Sequence, residues 1–196
     1  MPRTPEANQY VKDKRKKEIL LTALKLFCLQ GYENVTMDRI SKEAKVSHGL
    51  IYHHFNKKSD ILSELINESR QKFNQIFDLD HIKTLKGADF FQNFTEFIIS
   101  AVSLGGEYSY YIALYLNFKI SPTLYEDFGS TSYFKELENN FKIAQNEGKY
   151  EKGSPKEYLI CYFFLLKSIT MSAIYSNNKN TIPSSEVVLN LFKRSI

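Results

Sequence analysis

The chain has 196 residues, 43% of them hydrophobic and 24% charged, with a formal net charge of +4. That length supports one or two domains with cores of their own, and the composition excludes a collagen-like chain, a disordered chain and a disulfide scaffold. The charge is unevenly placed: residues 1–60 carry 12 Lys+Arg against 7 Asp+Glu, a net of +5, whereas residues 61–196 carry 14 against 15, a net of −1. The surplus points to a polyanionic partner for the first third alone.

Met1 to Lys17 is polar and basic, without the apolar run of a signal peptide, so a cytoplasmic protein is expected. The five prolines stand at 2, 5, 122, 155 and 183, leaving 6–121 free of the strongest helix breaker. The first stripe at helical spacing is Ile19, Ala23, Leu26 and Phe27, closed by Gly31 in the place of a helix C′ residue. Thr36 then reads as the N-cap of a short helix with Ile40 and Ala44 facing inward and Asp38 in its first turn. Lys45-Val46 forms a tight turn with Val46 as a plug, and Ser47 caps a second short helix, His48 to His54. Two short helices joined by a tight turn after a longer amphipathic one are the sequence form of a helix-turn-helix, although ordinary helical hairpins share the outline.

Further stripes follow: Phe90, Phe94, Phe97, Ile98 and Ala101; Tyr108, Tyr111, Ile112 and Tyr115; Phe134, Leu137, Phe141 and Ala144; Val187, Val188, Leu191 and Phe192. Tyr158 to Tyr175 is apolar nearly all round, which suits a central helix packed on several sides. As a membrane span it would carry Lys167 near its centre, at a cost of roughly 3 kcal/mol, and no membrane partner is expected. Cys28 and Cys161 are flanked by apolar residues and read as buried free thiols. The chain reads as all-α, with about nine helices.

Within the second short helix, Gly49 lets the backbone approach bases or phosphates, Ser47 and His48 stand at the end that reaches base edges, and Leu50 suits a thymine methyl. Ile51 and Phe55, four apart, anchor the helix to the core. The basic run Lys12, Lys14, Arg15, Lys16 and Lys17 suits either DNA phosphates or a solvated helix face. His53 and His54 point about 100° apart on a helix and lack acidic or thiol neighbours at ligand spacing, so no metal site is expected. No nucleophile elbow, zinc-protease motif, phosphate loop or acid/base pair is present, so neither catalysis nor a cofactor is expected.

The run Val46-Ser-His-Gly-Leu-Ile-Tyr-His-His-Phe-Asn-Lys-Lys-Ser-Asp-Ile-Leu62, with Ile19–Phe27 and Gly31–Ile40 before it, closely resembles the signature of the TetR family of bacterial transcriptional regulators. The resemblance covers roughly residues 15–65, and beyond them only helix number and length correspond. It implies a helix-turn-helix domain over 1–60, and an effector-binding and dimerisation domain over 61–196. It also implies phosphate or base contacts from Thr36, Tyr52 and His53, with Lys58 holding the DNA backbone. His53 departs from the family's common aromatic, and Ser59 from a frequent acid, leaving Asp60 to supply the first-turn charge. By the same resemblance the helices about 155–176 and 184–195 build a homodimeric repressor that reads a palindromic operator in double-stranded DNA and is released by a small lipophilic or aromatic effector. Phe90, Phe94, Phe97, Tyr111, Tyr115, Phe118, Phe141 and Tyr162 are candidates to line an apolar effector pocket, though each also suits a core. Glu96 and Glu107 are expected to be solvated. The alternative function is an architectural DNA-binding protein on the same fold, without an effector.

Overall fold

The computed structural model describes residues 5–118, 132–176 and 182–194. Its ten helices run α1 (Pro5–Gln30), α2 (Met37–Glu43), α3 (His48–His54), α4 (Lys58–Ile76), α5 (Leu79–Thr84), α6 (Gly87–Leu104), α7 (Glu107–Phe118), α8 (Ser132–Asn146), α9 (Pro155–Ser176) and α10 (Ser185–Asn190). Among the described residues the only extended pairing is a single antiparallel bridge, Tyr150 with Lys193. The fold is all-α, and the chain divides into two compact units, Met1–Ser69 and Arg70–Ile196, with the boundary inside α4.

In the first unit, α1 ends where the glycine permits: Gly31 has φ 82° and donates its N–H to the Phe27 carbonyl at 3.2 Å. Thr36 caps α2 by accepting from the Arg39 N–H at 3.1 Å, a contact type worth about 1 kcal/mol. The buried side chains Ile19, Ala23 and Phe27 of α1 form the floor, joined by Ile40 of α2, Ile51 of α3 and Ile61 and Leu65 of α4.

In the second unit the central element is α6, which packs against α5, α7, α8, α9 and α10. The sequence expectation placed the 158–175 helix there instead. Only about a third of α9 is buried: Leu159, Tyr162, Phe163, Leu166, Ile169 and Thr170 face inward, while Phe164 and Tyr175 are exposed. α9 is long and apolar enough to cross a membrane, yet one face packs on α7 and α8 within the unit. The mixed environment corrects a second expectation, because Cys161 lies on the exposed face while Cys28 is buried.

The start of α6 has no side-chain cap of its own. α8 supplies one: Asn140 Oδ1 accepts the Gly87 N–H at 3.3 Å and Glu147 Oε2 accepts that of Ala88 at 3.1 Å. The glycine is required there, because φ is 57° and a Cβ would collide with the Glu147 carboxylate. α10 is shorter than the expected 184–195 helix; after it, Arg194 N–H donates to the Lys149 carbonyl at 3.0 Å.

Candidate nucleic-acid interface

The turn between α2 and α3 is set by one left-handed residue. Lys45 has φ 54°, and the Val46 N–H donates back to the Ser41 carbonyl at 3.0 Å. This is the closing geometry usually served by glycine. Ser47 then caps α3, accepting from the Leu50 N–H at 3.2 Å. Ile51 and Phe55 are buried at 0% and 3% exposure, and each such burial favours docking of the helix by roughly 1.5–3 kcal/mol. With that face fixed inward, His48, Gly49, Tyr52 and His53 are exposed and Leu50 is half-buried.

The exposed face is organised. His48 Nε2 lies 2.8 Å from Asp38 Oδ1 of α2, and its ring lies 4.7 Å from that of Tyr52. Among the described residues nothing lies within 4 Å of where a Cβ on Gly49 would stand, so their packing does not demand a glycine there. His54 turns the other way: its Nε2 is buried without a hydrogen-bond partner among the described residues, and its ring packs near Phe55. Burial pushes its pKa down, helped by the charges of His53, Lys16 and Lys12 against a smaller upward pull from Asp13.

At the start of α4, Asp60 supplies the first-turn charge, its Oδ2 accepting the N–H groups of Asn56 and Lys57, both at 3.2 Å. Lys58 is half-buried. Its ammonium donates to the Tyr32 carbonyl at 2.6 Å and lies 4.1 Å from the centre of the Tyr32 ring. Lys58 therefore ties α4 to the 31–35 loop, a partnership 26 residues apart that no local pattern displays. Two exposed cations outside the motif's set, Lys45 and Lys57, bracket α3; the available signal is their position just outside its ends. In α1 the basic run is mixed: Lys12, Lys14 and Lys17 are exposed, Arg15 pairs with Glu18 at 2.7 Å, and Lys16 pairs with Glu64.

Residues 19–65 match the family model of the bacterial regulatory proteins of the tetR family. The regulator HbdR of Aromatoleum sp. (strain CIB) is 50% identical over 50 residues, 26% of this chain and 22% of HbdR. QacR of Staphylococcus aureus (strain Mu50) is 28% identical over 135 residues, 69% of this chain and 64% of QacR. The match spans less than two thirds of either relative. A solved structure of AibR, in complex with isovaleryl coenzyme A and operator DNA, shares the fold with a TM-score of 0.54 at 19% identity, over 90% of this chain and 94% of AibR. Over residues 19–65 the chain is thus similar to the TetR family of regulators, and over most of its length it shares their fold. The match to the family model covers Thr36, Ser47 to Leu50, Tyr52, His53 and Lys58, the residues gathered around α3 and its flanking turns.

Six of the aromatic candidates, Phe90, Phe94, Phe97, Tyr115, Phe141 and Tyr162, sit in one ring network joined through Phe91. Phe90 and Phe94 stack at 5.5 Å, Phe94 lies 6.3 Å from Phe97 and 6.4 Å from Tyr115, and Phe97 meets Phe73 at 5.1 Å. Phe91, which belongs to no stripe, is the hub of the other half, within 5.8 Å of Phe141, Tyr150 and Tyr162. Tyr111 is fully buried, and the Phe118 side chain lies outside the described residues. The buried Tyr162 hydroxyl lies 2.7 Å from Thr95 Oγ1, whose proton already goes to the Phe91 carbonyl at 2.6 Å. The phenol is therefore the donor, and burial raises its pKa far above the ordinary tyrosine value. Glu96 is exposed as expected, whereas Glu107 is half-buried and accepts from Lys72 Nζ at 2.7 Å. That pairing corrects the expectation of a solvated carboxylate.

Proposed function

We propose that the chain is a homodimeric transcriptional regulator that binds a palindromic operator through α3 and is released by a small lipophilic or aromatic effector. The observation that carries the reading is the division of α3: Ile51 and Phe55 lock one face, leaving His48, Gly49, Tyr52 and His53 for the major groove. Ser47 and Leu50 complete the base-facing end, Thr36 meets a phosphate from the start of α2, and Lys58 offers a remaining N–H to the DNA backbone while it holds the Tyr32 loop. The domain of residues 1–60 does this work, and that of 61–196 handles the effector and the partner copy. The likeness in fold to AibR, solved on operator DNA, supports the DNA part.

The second copy is the occupant argued for the open face of α9 and α10. Phe164 is 51% exposed on α9, and Val187 on α10 and Leu191, the residue that caps its end, are 56% and 66% exposed. Apolar side chains left open on adjoining sequence elements favour association, and a two-fold dimer matches a palindrome. For the effector, the support is the aromatic wealth of α6 to α9, which suits lipophilic or flat molecules.

Selection of bound fragments from the source genome, followed by a salt titration, tests the DNA part. A palindrome should be enriched, with affinity falling linearly on a logarithmic salt scale at a slope of about −0.9 for each phosphate neutralised. Binding that ignores salt, with no palindrome enriched, would reject the reading.

A further inference from the structure

We infer that Asp38 is a specificity-positioning residue: by accepting the Nε2 proton of His48 it fixes which edge of the imidazole α3 presents to DNA. The inference rests on the reading that α3 enters the major groove. Asp38 belongs to α2 and His48 to α3, and the two helices are locked together by the Lys45 turn and by Ile40 and Ile51, each 0% exposed. The carboxylate is not needed as a cap, since Thr36 already accepts the Arg39 N–H. It reaches instead across the turn to His48 Nε2 at 2.8 Å, while the Tyr52 ring lies against the imidazole with a 43° tilt. The ring is thus held from two sides on an exposed surface.

A contact between side chains that are 65% and 75% exposed contributes little to stability. Its consequence is orientation, because the bond made by one imidazole nitrogen decides the role of the other. With the Nε2 proton on Asp38, the neutral ring leaves Nδ1 as an acceptor, matched to the exocyclic amine of cytosine or adenine. Without Asp38 the ring is free to rotate or to place its proton on Nδ1, which instead suits guanine N7 or O6 or thymine O4. Asp38 therefore selects bases that it does not touch. Its charge also repels phosphates, so its removal tightens binding to every sequence together. Base preference, not affinity, is the diagnostic quantity.

The test is selection from a random duplex library with the full chain and with Asp38→Ala, Asp38→Asn, His48→Ala and the Asp38→Ala/His48→Ala double variant. The wild type should enrich a palindrome. Asp38→Ala should relax the preference at one symmetric pair of positions by about fivefold to tenfold, within the range of a single base contact. Asp38→Asn, whose carbonyl still accepts the Nε2 proton, should keep most of the preference, and the double variant should match His48→Ala. Should melting show that Asp38→Ala does not fold, Asp38→Ser, a residue suited to helix starts, takes its place. Preferences unchanged by Asp38→Ala, or altered equally with and without His48, would overturn the inference while leaving the DNA reading intact. A wild type that enriches no palindrome would reject the DNA reading itself.

Discussion

α6 and α9 are the two long apolar helices of the second unit, and the sequence, with one stripe on α6 and an apolar surface nearly all round on α9, favours α9 as the central one. α6 turns Phe90, Phe91, Phe94, Phe97, Ile98, Ala101 and Val102 into neighbouring helices on nearly every side. α9 buries one face through Leu159, Tyr162, Leu166 and Thr170 and leaves Phe164 and Tyr175 open. A helix apolar all round has two solutions, enclosure by its own chain or enclosure shared with another molecule, and composition does not distinguish them. Under the proposed dimer, the contrast gives stability to α6 and association to α9. Substitutions on the two helices should therefore break different properties.

The largest effect is expected at the hub of the enclosed helix. Phe91→Ala removes a ring that meets Phe141, Tyr150 and Tyr162 and should cost the second unit about 3–5 kcal/mol. Denaturant unfolding would read this as a lower midpoint. A loss below about 1 kcal/mol would mean that the network closes around the gap and that α6 is not the central support.

Phe164→Glu tests the opposite assignment. The folded monomer should tolerate the change, because the ring is half in solvent, but association of two copies should weaken on the order of hundredfold, as for a central apolar anchor. Sedimentation would show a shift from dimer to monomer with an unaltered melting temperature for the isolated chain. An unchanged sedimentation profile would remove this face of α9 from the interface.

The first unit was far more legible than the second, and the reason is the range of the interactions. Thr36 and Ser47 as caps, Gly31 as the end of α1 and the inward pair Ile51 and Phe55 all act within about four residues, so their spacing displays them. The partners of Lys58, Glu107 and Tyr162 lie 26, 35 and 67 residues away, and no periodicity encodes them. The same limit explains why Val187 and Leu191, in one stripe with Val188 and Phe192, proved exposed while the latter two are buried. A stripe marks an apolar surface without saying what covers it.

A smaller effect, with a stabilising sign, is expected at the turn that holds α3. Lys45 adopts φ 54° at a cost that glycine escapes. Lys45→Gly should therefore raise the stability of the first unit by about 0.5–1 kcal/mol after allowing for the extra freedom of an unfolded glycine. Because Lys45 also borders α3 with an exposed charge, DNA affinity should fall at low salt while the melting temperature rises. A melting temperature that falls would show that the lysine side chain makes the turn stable.

The smallest effect belongs to His54, on the side of α3 away from the proposed groove. Its pKa is lowered from 6.5, chiefly by burial and then by His53, Lys16 and Lys12. The folded state thus binds a proton less readily than the unfolded one. The first unit should consequently keep its full stability above pH 6.5 and lose it as the pH falls from there through the lowered folded value. His54→Gln, which does not titrate, should flatten that part of the profile when melting is followed from pH 8 to pH 5. A profile that His54→Gln left as steep as before would mean that the slope arises at another group, and the assignment of a buried, proton-excluding face to this side of α3 would have to be redrawn.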